Sequence, residues 1–300
     1  MFERIAIFGV GLIGGSFALA LKKAGAVKQV VGAGRRRATL ERARDIGIID
    51  TIADNPADAV QGADLVLLAA PVAQTGAILS AILPALSPDT IVTDAGSTKC
   101  DVVQAARAAL GNRIHQFVPA HPIAGRELNG PDAALGSLYA GKKVVIAALE
   151  ENSPEAIERV AQAWRLCGAN IHRLSPERHD QVFAAVSHLP HLLAFALVDD
   201  IASKPNADLL FQFAASGFRD FTRIAGSSPE MWRDITIANR DAMLAELNAY
   251  QAQLQRLRGM LEQSDGAALE AVYARARHAR ENWINAIEAG NPTSQQGAQQ

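Results

Sequence analysis

The sequence predicts an α/β fold in two parts, a doubly wound parallel sheet followed by an all-α half. Over roughly the first 170 residues, short β-rich runs alternate with helical patterns, which is how a parallel sheet with crossover helices is written. The first of those runs ends in a glycine-rich turn at Gly9–Ser16 that passes straight into a helical pattern. From Ser175 onward the strand patterns stop and long helical segments take over.

The strands are expected at Ile5–Phe8, Gln29–Gly32, Leu65–Ala69, Ile91–Asp94, Phe117–Pro119 and Lys143–Ala147, with a short last one at Asn170–Leu174. Their nearly continuous apolar character suits strands covered on both faces. Ser153-Pro154-Glu155 reads as an N-cap followed by proline at the first helical position, and Gly168 as the stop of that helix. Ser175-Pro176-Glu177 and Ser228-Pro229-Glu230 start further helices in the same way. Met243, Leu247, Tyr250, Leu254, Leu257 and Leu261 alternate spacings of four and three, a coiled-coil-like seam that must pack on another helix. A helix of the same chain would serve, but a dimer interface is the favoured reading. The division is therefore a sheet domain at 1–174, a helical substrate and dimerisation domain at 175–290, and a polar, frayed tail at 291–300.

Composition narrows the functional classes. The 300 residues suit two domains, and 49% hydrophobic with 20% charged residues supplies an ordinary core. A net charge of −2 leaves no electrostatic footprint for nucleic acid or an anionic membrane. Two cysteines, Cys100 and Cys167, suit a reducing compartment, so the expected location is cytoplasmic. The apolar stretch from Ile5 to Leu21 imitates a signal peptide, but glycines interrupt it, Lys22 and Lys23 close it, and no cleavage site follows. No other stretch is expected to approach the ~20 apolar residues of a membrane span.

The turn after the first strand reads Gly9-Val10-Gly11-Leu12-Ile13-Gly14, a GxGxxG between strand and helix. Gly9 permits the tight turn, Gly11 the approach of backbone to a pyrophosphate, and Gly14 close packing of helix on strand, as in a Rossmann-type dinucleotide site. The amides from Gly11 through Leu12, Ile13 and Gly14 open the helix, where free N–H groups and the dipole favour phosphate. At the end of the second strand, where NAD-binding folds of this type carry an acidic residue, the chain has Gly34, followed by Arg35, Arg36 and Arg37. Losing the carboxylate removes repulsion of a 2′-phosphate, and Arg35 and Arg36 can bind one; NADP is the preferred cofactor, with NAD also possible.

Three more segments carry more polar groups than packing requires. Asp94-Ala95-Gly96-Ser97-Thr98-Lys99 follows the fourth expected strand, and Ala120-His121-Pro122-Ile123-Ala124-Gly125-Arg126-Glu127 follows the fifth. Ligands of open α/β sheets bind at such carboxyl ends, which puts Ser97 and His121 beside a nicotinamide. In the helical half, Ser187 and His191 share a helix face that Pro190 should bend, and Arg219 and Arg223 share another. Two such arginines can hold carboxylates, or Asp220 can pair with one of them at the surface. No carboxylate or cysteine accompanies the histidines at ligand spacing, so no metal site is expected.

The segments GVGLIGGS, DAGSTK, HPIAGRELNG, SHLPHLLAFAL and GFRDFTRIAGSSPEMWRDI occur in order from Gly9 to Ile235, and with them the chain resembles the prephenate/arogenate (cyclohexadienyl) dehydrogenase family. The resemblance implies a Rossmann domain, a helical dimerisation domain and a homodimer. It also implies the oxidative decarboxylation of prephenate or arogenate in tyrosine biosynthesis. By position, His121 resembles the family's catalytic histidine on the ring hydroxyl, and Ser97 the residue orienting that hydroxyl and the nicotinamide. Arg223 is similar to the arginine that binds a substrate carboxylate, with Arg219 in support. Glu127 and His191 match a pair that gates or lines the pocket, and Ser187 lies beside them. Gly34 departs from NAD-preferring members. A β-hydroxyacid dehydrogenase or an imine reductase would share the architecture, but the former calls for a catalytic lysine, and nothing in the 187–223 region looks like one. A nucleotide-sensing regulator that binds NADPH without turnover is the non-enzyme alternative, disfavoured by the joint presence of His121, Ser97 and Arg223.

Overall fold

The computed structural model describes residues 1–126 and 128–289; Glu127 and the 291–300 tail lie outside the described residues. The strands are β1 (Phe2–Phe8), β2 (Val27–Ala33), β3 (Thr51–Ile52), β4 (Leu65–Leu68), β5 (Ile91–Asp94), β6 (Phe117–Val118), β7 (Ala120–Pro122), β8 (Lys143–Ile146) and β9 (Asn170–Arg173). Among the described residues, six of them form a parallel sheet in the order β3-β2-β1-β4-β5-β6. This order reverses between β1 and β4, which creates the switch point where ligands of such sheets bind.

Helices on both faces explain why the strands carry no polar alternation. Ile5 and Ile7 of β1 join Leu65 and Leu67 of β4 under α1 (Leu12–Lys23), α2 (Arg37–Asp45) and α6 (Pro154–Leu166). Ala6 and Phe8, with Val66 and Leu68, point the other way, under α3 (Pro56–Val60), α4 (Thr75–Ile82) and α5 (Cys100–Leu110). On the first face, Trp164 is fully buried between Phe17 and Tyr139, with ring centroids 4.7 and 5.1 Å away. Each such side chain contributes ~1.5–3 kcal/mol through burial.

The expected single parallel sheet needs correction. The chain leaves the main sheet at Pro119, and β7, β8 and β9 form a second sheet in which β7 runs antiparallel to β8. His121 therefore lies within a short strand, opposite Val145, rather than in a loop. β3 escaped the sequence reading because two residues leave no periodicity to detect.

From Ser175 the described chain is helical: α7 (Pro176–Phe183), α8 (Leu189–Ala202), α9 (Ala207–Gln212), α10 (Ser216–Thr222), α11 (Pro229–Ala238), α12 (Arg240–Glu262) and α13 (Gly266–Ala289). All three Ser-Pro-Glu starts are N-caps, with Ser153, Ser175 and Ser228 accepting from the amides of Ala156, Arg178 and Met231. Between α7 and α8, Ala184–His188 forms a π-helical turn just before Pro190, so the irregularity expected at the proline takes that form. The run Pro176–Ala202 is, by length and composition, apolar enough to cross a membrane, which corrects the expectation that no such stretch exists. It carries His179, Asp180 and His188, all buried, and their partners lie within the protein; groups of this kind are costly in hydrocarbon.

The contacts separate two compact units between Met243 and Leu244. The first holds both sheets and the helices through α11. In the second, Leu254 and Leu261 of the α12 seam are exposed, Leu247, Tyr250 and Leu257 are half-buried, and α13 exposes Tyr273, Trp283 and Ile287.

The glycine turn yields a stability test. A Cβ on Gly14 would lie 2.3 Å from the carbonyl oxygen of Gly9 and 2.8 Å from Ile7, whereas one on Gly11 would meet nothing within 4 Å. Gly14→Ala is expected to destabilise the fold by about 1–3 kcal/mol in urea denaturation. Gly11→Ala should change it far less, and equal losses in the two variants would contradict this packing.

Candidate active site

The carboxyl ends of β1 and β4 open a cavity of about 480 Å³, lined by Gly9, Gly11, Gly34, Arg35, Arg36 and Pro71 among others. Gly9 has φ +96°, and a Cβ there would stand 2.5 Å from the Ala69 carbonyl oxygen, so the turn requires glycine. The open space at Gly11 leaves room for a ligand against the start of α1. Arg37 turns away to Glu41 and Asp54, at 3.2 and 3.5 Å.

Beyond β5, the DAGSTK segment is built around a buried ion pair between Lys99 and Asp94. The other Asp94 oxygen accepts from the Ala120 amide at 3.0 Å, and Gly96 N donates to the carboxylate at 2.8 Å. The residue that precedes His121 is thus pinned to the end of β5. His121 Nδ1 lies 2.8 Å from His179 Nε2, and His179 Nδ1 lies 2.8 Å from Asp180 Oδ1. Asp180 also accepts the Lys99 and Cys100 amides at 2.8 Å each, capping α5 from the helical half. Phe183 sits edge-on to His121 at 4.9 Å.

Burial, with His179, Lys99 and His188 nearby, pushes the His121 pKa well below the ordinary histidine value. Burial also lowers His179, against the pull of Asp180. Burial of Asp180 opposes its charge, but the hydrogen bonds from His179 and the two amides outweigh it and leave its pKa below the usual carboxylate value. The result is a negative carboxylate behind two neutral imidazoles.

A second cluster comes from the helical half. Asn239 Nδ2 donates to the Asp180 carbonyl at 2.8 Å and lies 3.0 Å from His188 Nδ1. His188 is buried and its pKa is pushed down to about 4, chiefly by burial. The Ser97 backbone is near enough to favour its protonated form slightly, which places the DAGSTK loop against His188. His191 Nδ1 donates to the Ser187 carbonyl, 2.8 Å away, and the ring stacks on Trp232 with centroids 3.6 Å apart. Burial and the nearby charge of Arg223 lower the His191 pKa, so Arg223 belongs to this neighbourhood. His188 thus neighbours His121, the Ser97 backbone and His191, and His191 in turn neighbours Arg223. Arg219 instead lies 3.7 Å from Asp220, both largely exposed.

Sequence reasoning singled out neither His179 and Asp180 nor His188, Asn239 and Trp232. His179-Asp180 carried no distinguishing signal, because they stand among Glu177, Arg178 and Gln181 in a polar stretch of α7.

The model for the prephenate dehydrogenase nucleotide-binding domain matches residues 17–173, and that for the prephenate dehydrogenase dimerization domain matches residues 175–274. The chain belongs to the prephenate dehydrogenase family. It is 37% identical over 282 residues to a cyclohexadienyl dehydrogenase of Zymomonas mobilis, covering 93% of this chain and 96% of that one. It is 35% identical over 300 residues to a prephenate dehydrogenase of Bacillus subtilis, covering 99% and 78%. A crystal structure of A. aeolicus prephenate dehydrogenase with hydroxyphenyl propionate and NAD+ superimposes with a TM-score of 0.84 at 36% identity, covering 96% and 99%. Membership makes the chain an oxidoreductase of tyrosine biosynthesis, built on a nucleotide-binding Rossmann sheet.

The buried neutral histidines set a pH dependence. Unfolding returns His188 to about 6.5, so below that pH the unfolded chain binds a proton that the folded chain refuses. Stability is expected to fall as pH drops from about 6.5 to about 4, by up to roughly 3 kcal/mol from His188 alone. His121 and His179 act in the same direction, while the Asp180 contribution is lost only at still lower pH, through its depressed pKa. Denaturant titrations across that window check this; a flat profile would mean that these rings are not held neutral.

Proposed function

We propose that this chain catalyses the NAD(P)-dependent oxidative decarboxylation of prephenate or arogenate, with His121 accepting the ring hydroxyl proton. The observation that carries the reading is the neutral imidazole of His121, positioned where the nucleotide-binding sheet meets the helical half. The A. aeolicus relative holds a hydroxyphenyl ligand and NAD+ together, which is the pairing this reaction needs.

Bound nicotinamide supplies the hydride acceptor. His121 takes the C4 hydroxyl proton as hydride departs, Ser97 orients that hydroxyl, and Arg223 holds a carboxylate with its two-pronged guanidinium. Electrons of the C1–carboxylate bond then flow into the ring as carbon dioxide leaves. The C4 oxygen recovers its proton from His121, so the cycle releases none. Aromatisation drives the step, and the protein's task is positioning. His191 and Ser187 line the substrate side, with Arg219 as a more distant basic position. In functional terms, residues 1–174 bind the nucleotide and residues 175–290 complete the substrate site.

The cofactor preference is for NADP. A Cβ on Gly34 would meet only Leu40, at 3.7 Å, so packing does not demand glycine there. The missing carboxylate therefore serves ligand choice, and Arg35 and Arg36 line the same cavity. A homodimer covers the exposed Leu254 and Leu261 of the α12 seam and the Pro176–Ala202 run, of whose most apolar window only 28% is buried within the chain. The match to a dimerization domain supports that occupant, and a cytoplasmic location suits such an enzyme.

Steady-state assays crossing prephenate and arogenate with NAD and NADP test the whole reading; turnover of neither substrate would end it. His121→Asn is expected to lower kcat by about 100-fold or more while cofactor affinity holds. An unchanged rate would remove His121 from the chemistry. Replacing Arg35 and Arg36 together by alanine should raise KM for NADP much more than for NAD, and equal losses would defeat the assignment of that loop.

A further inference from the structure

The chain of contacts from Asp180 to His121 determines where each imidazole proton sits. An ionised carboxylate can only accept, so His179 Nδ1, 2.8 Å from Asp180 Oδ1, must carry a hydrogen. His179 is neutral, which leaves its Nε2 bare. That atom faces His121 Nδ1 at 2.8 Å, and two bare nitrogens at that distance would repel, so His121 Nδ1 is the donor. His121 is also neutral, and its remaining nitrogen, Nε2, therefore has a free lone pair.

We propose that Asp180 and His179 are positioning residues that lock His121 in the Nδ1–H tautomer and present a bare Nε2 to the substrate hydroxyl. The inference rests on His121 being the proton acceptor. As hydride leaves C4, the hydroxyl O–H bond breaks and its proton binds Nε2. The cationic ring keeps donating through Nδ1 to His179, and the fixed charge of Asp180 stabilises it. When the C1–carboxylate bond breaks, the C4 oxygen takes the proton back, and the original tautomer returns without rearrangement.

The surroundings favour this direction of the relay. Asp180 is held at the N-terminal end of α5 by the Lys99 and Cys100 amides, where the helix dipole also favours a negative charge. The other charged and titratable groups facing the relay are Lys99, matched by Asp94, together with His188, Cys100 and Asp101. Phe183 closes the apolar side, with its ring 4.4 Å from His179 and 4.9 Å from His121.

Two experiments test the proposal on the full-length protein. In 15N-histidine NMR near neutral pH, with His121 assigned by the signal lost in His121→Asn, the wild type should show a protonated Nδ1 and a bare Nε2. The reverse pattern overturns the proposal, whatever the enzyme's activity. Because Asp180 also caps α5, the kinetic test uses His179. Its glutamine variant can accept from His121 and donate to Asp180 through one amide, whereas leucine can do neither. His179→Leu is expected to lower kcat by about 100-fold with KM little changed, and His179→Gln to recover at least about tenfold of that loss. Equal kcat in the two variants would overturn the relay, since a purely packing role does not require the amide. If His121→Asn retains full activity while the tautomer is as stated, the assignment of His121 as base fails and the positioning chain stands.

Discussion

The architecture of the site depends on one buried carboxylate. Asp180 comes from the first helix after the sheets and accepts hydrogen bonds from backbone amides 80 and 81 residues earlier in the chain. Burying a charge is costly unless its lone pairs are filled, and here two amides at the N-terminus of α5 and an imidazole fill them. Leaving even one of those donors unpaired would cost about 1–3 kcal/mol. The start of α5, the DAGSTK loop and the His179 ring therefore cannot shift independently.

A second carboxylate performs the same service from the sheet side. Asp94, at the end of β5, holds Lys99, Gly96 and the amide of Ala120, and so sets the register of the strand that carries His121. Asn239 extends the network by joining the Asp180 carbonyl to His188. Around Asp180 and Asp94 the buried groups are paired and therefore rigid, while the buried Nε2 of His188 has no hydrogen-bond partner among the described residues. A reaction that moves a proton and a hydride within one small volume requires such rigidity more than it requires strong acids or bases.

What the sequence made legible was local chemistry. The glycines of the first turn, the three Ser-Pro-Glu caps and the doubly apolar strands each declare themselves within a few residues, and the structure agrees with them. What stayed hidden depends on distance or on brevity. Nothing near His179-Asp180 reveals that α5 begins beside it, and β3 and β7 are too short to show a period. At the start of β7 the Ala120 amide donates to Asp94, a partner 26 residues away that local sequence cannot announce. Spacing alone put Arg219 and Arg223 on a common face, and the structure adds an exposed Asp220 3.7 Å from Arg219 on the short α10. Gly34 and its arginines were readable as chemistry, yet the sequence could not show that a Cβ at Gly34 would meet only Leu40, at 3.7 Å.

The depressed pKa of His121 fits the proposed reaction better than a strong base would. A histidine that held its proton tightly would already carry one near neutral pH and could not accept another from the substrate hydroxyl. The product is a phenol, whose ordinary pKa is about 10, so the returning step is downhill from any imidazolium. The difficult moment is acceptance, when the ring becomes cationic in a site that disfavours charge. A fixed negative charge two hydrogen bonds away stabilises the ring at that moment without making it basic at rest. The placement of Asp180 behind His179, rather than against His121 itself, achieves that separation: close contact would raise the resting pKa, and greater distance would leave the cation unsupported.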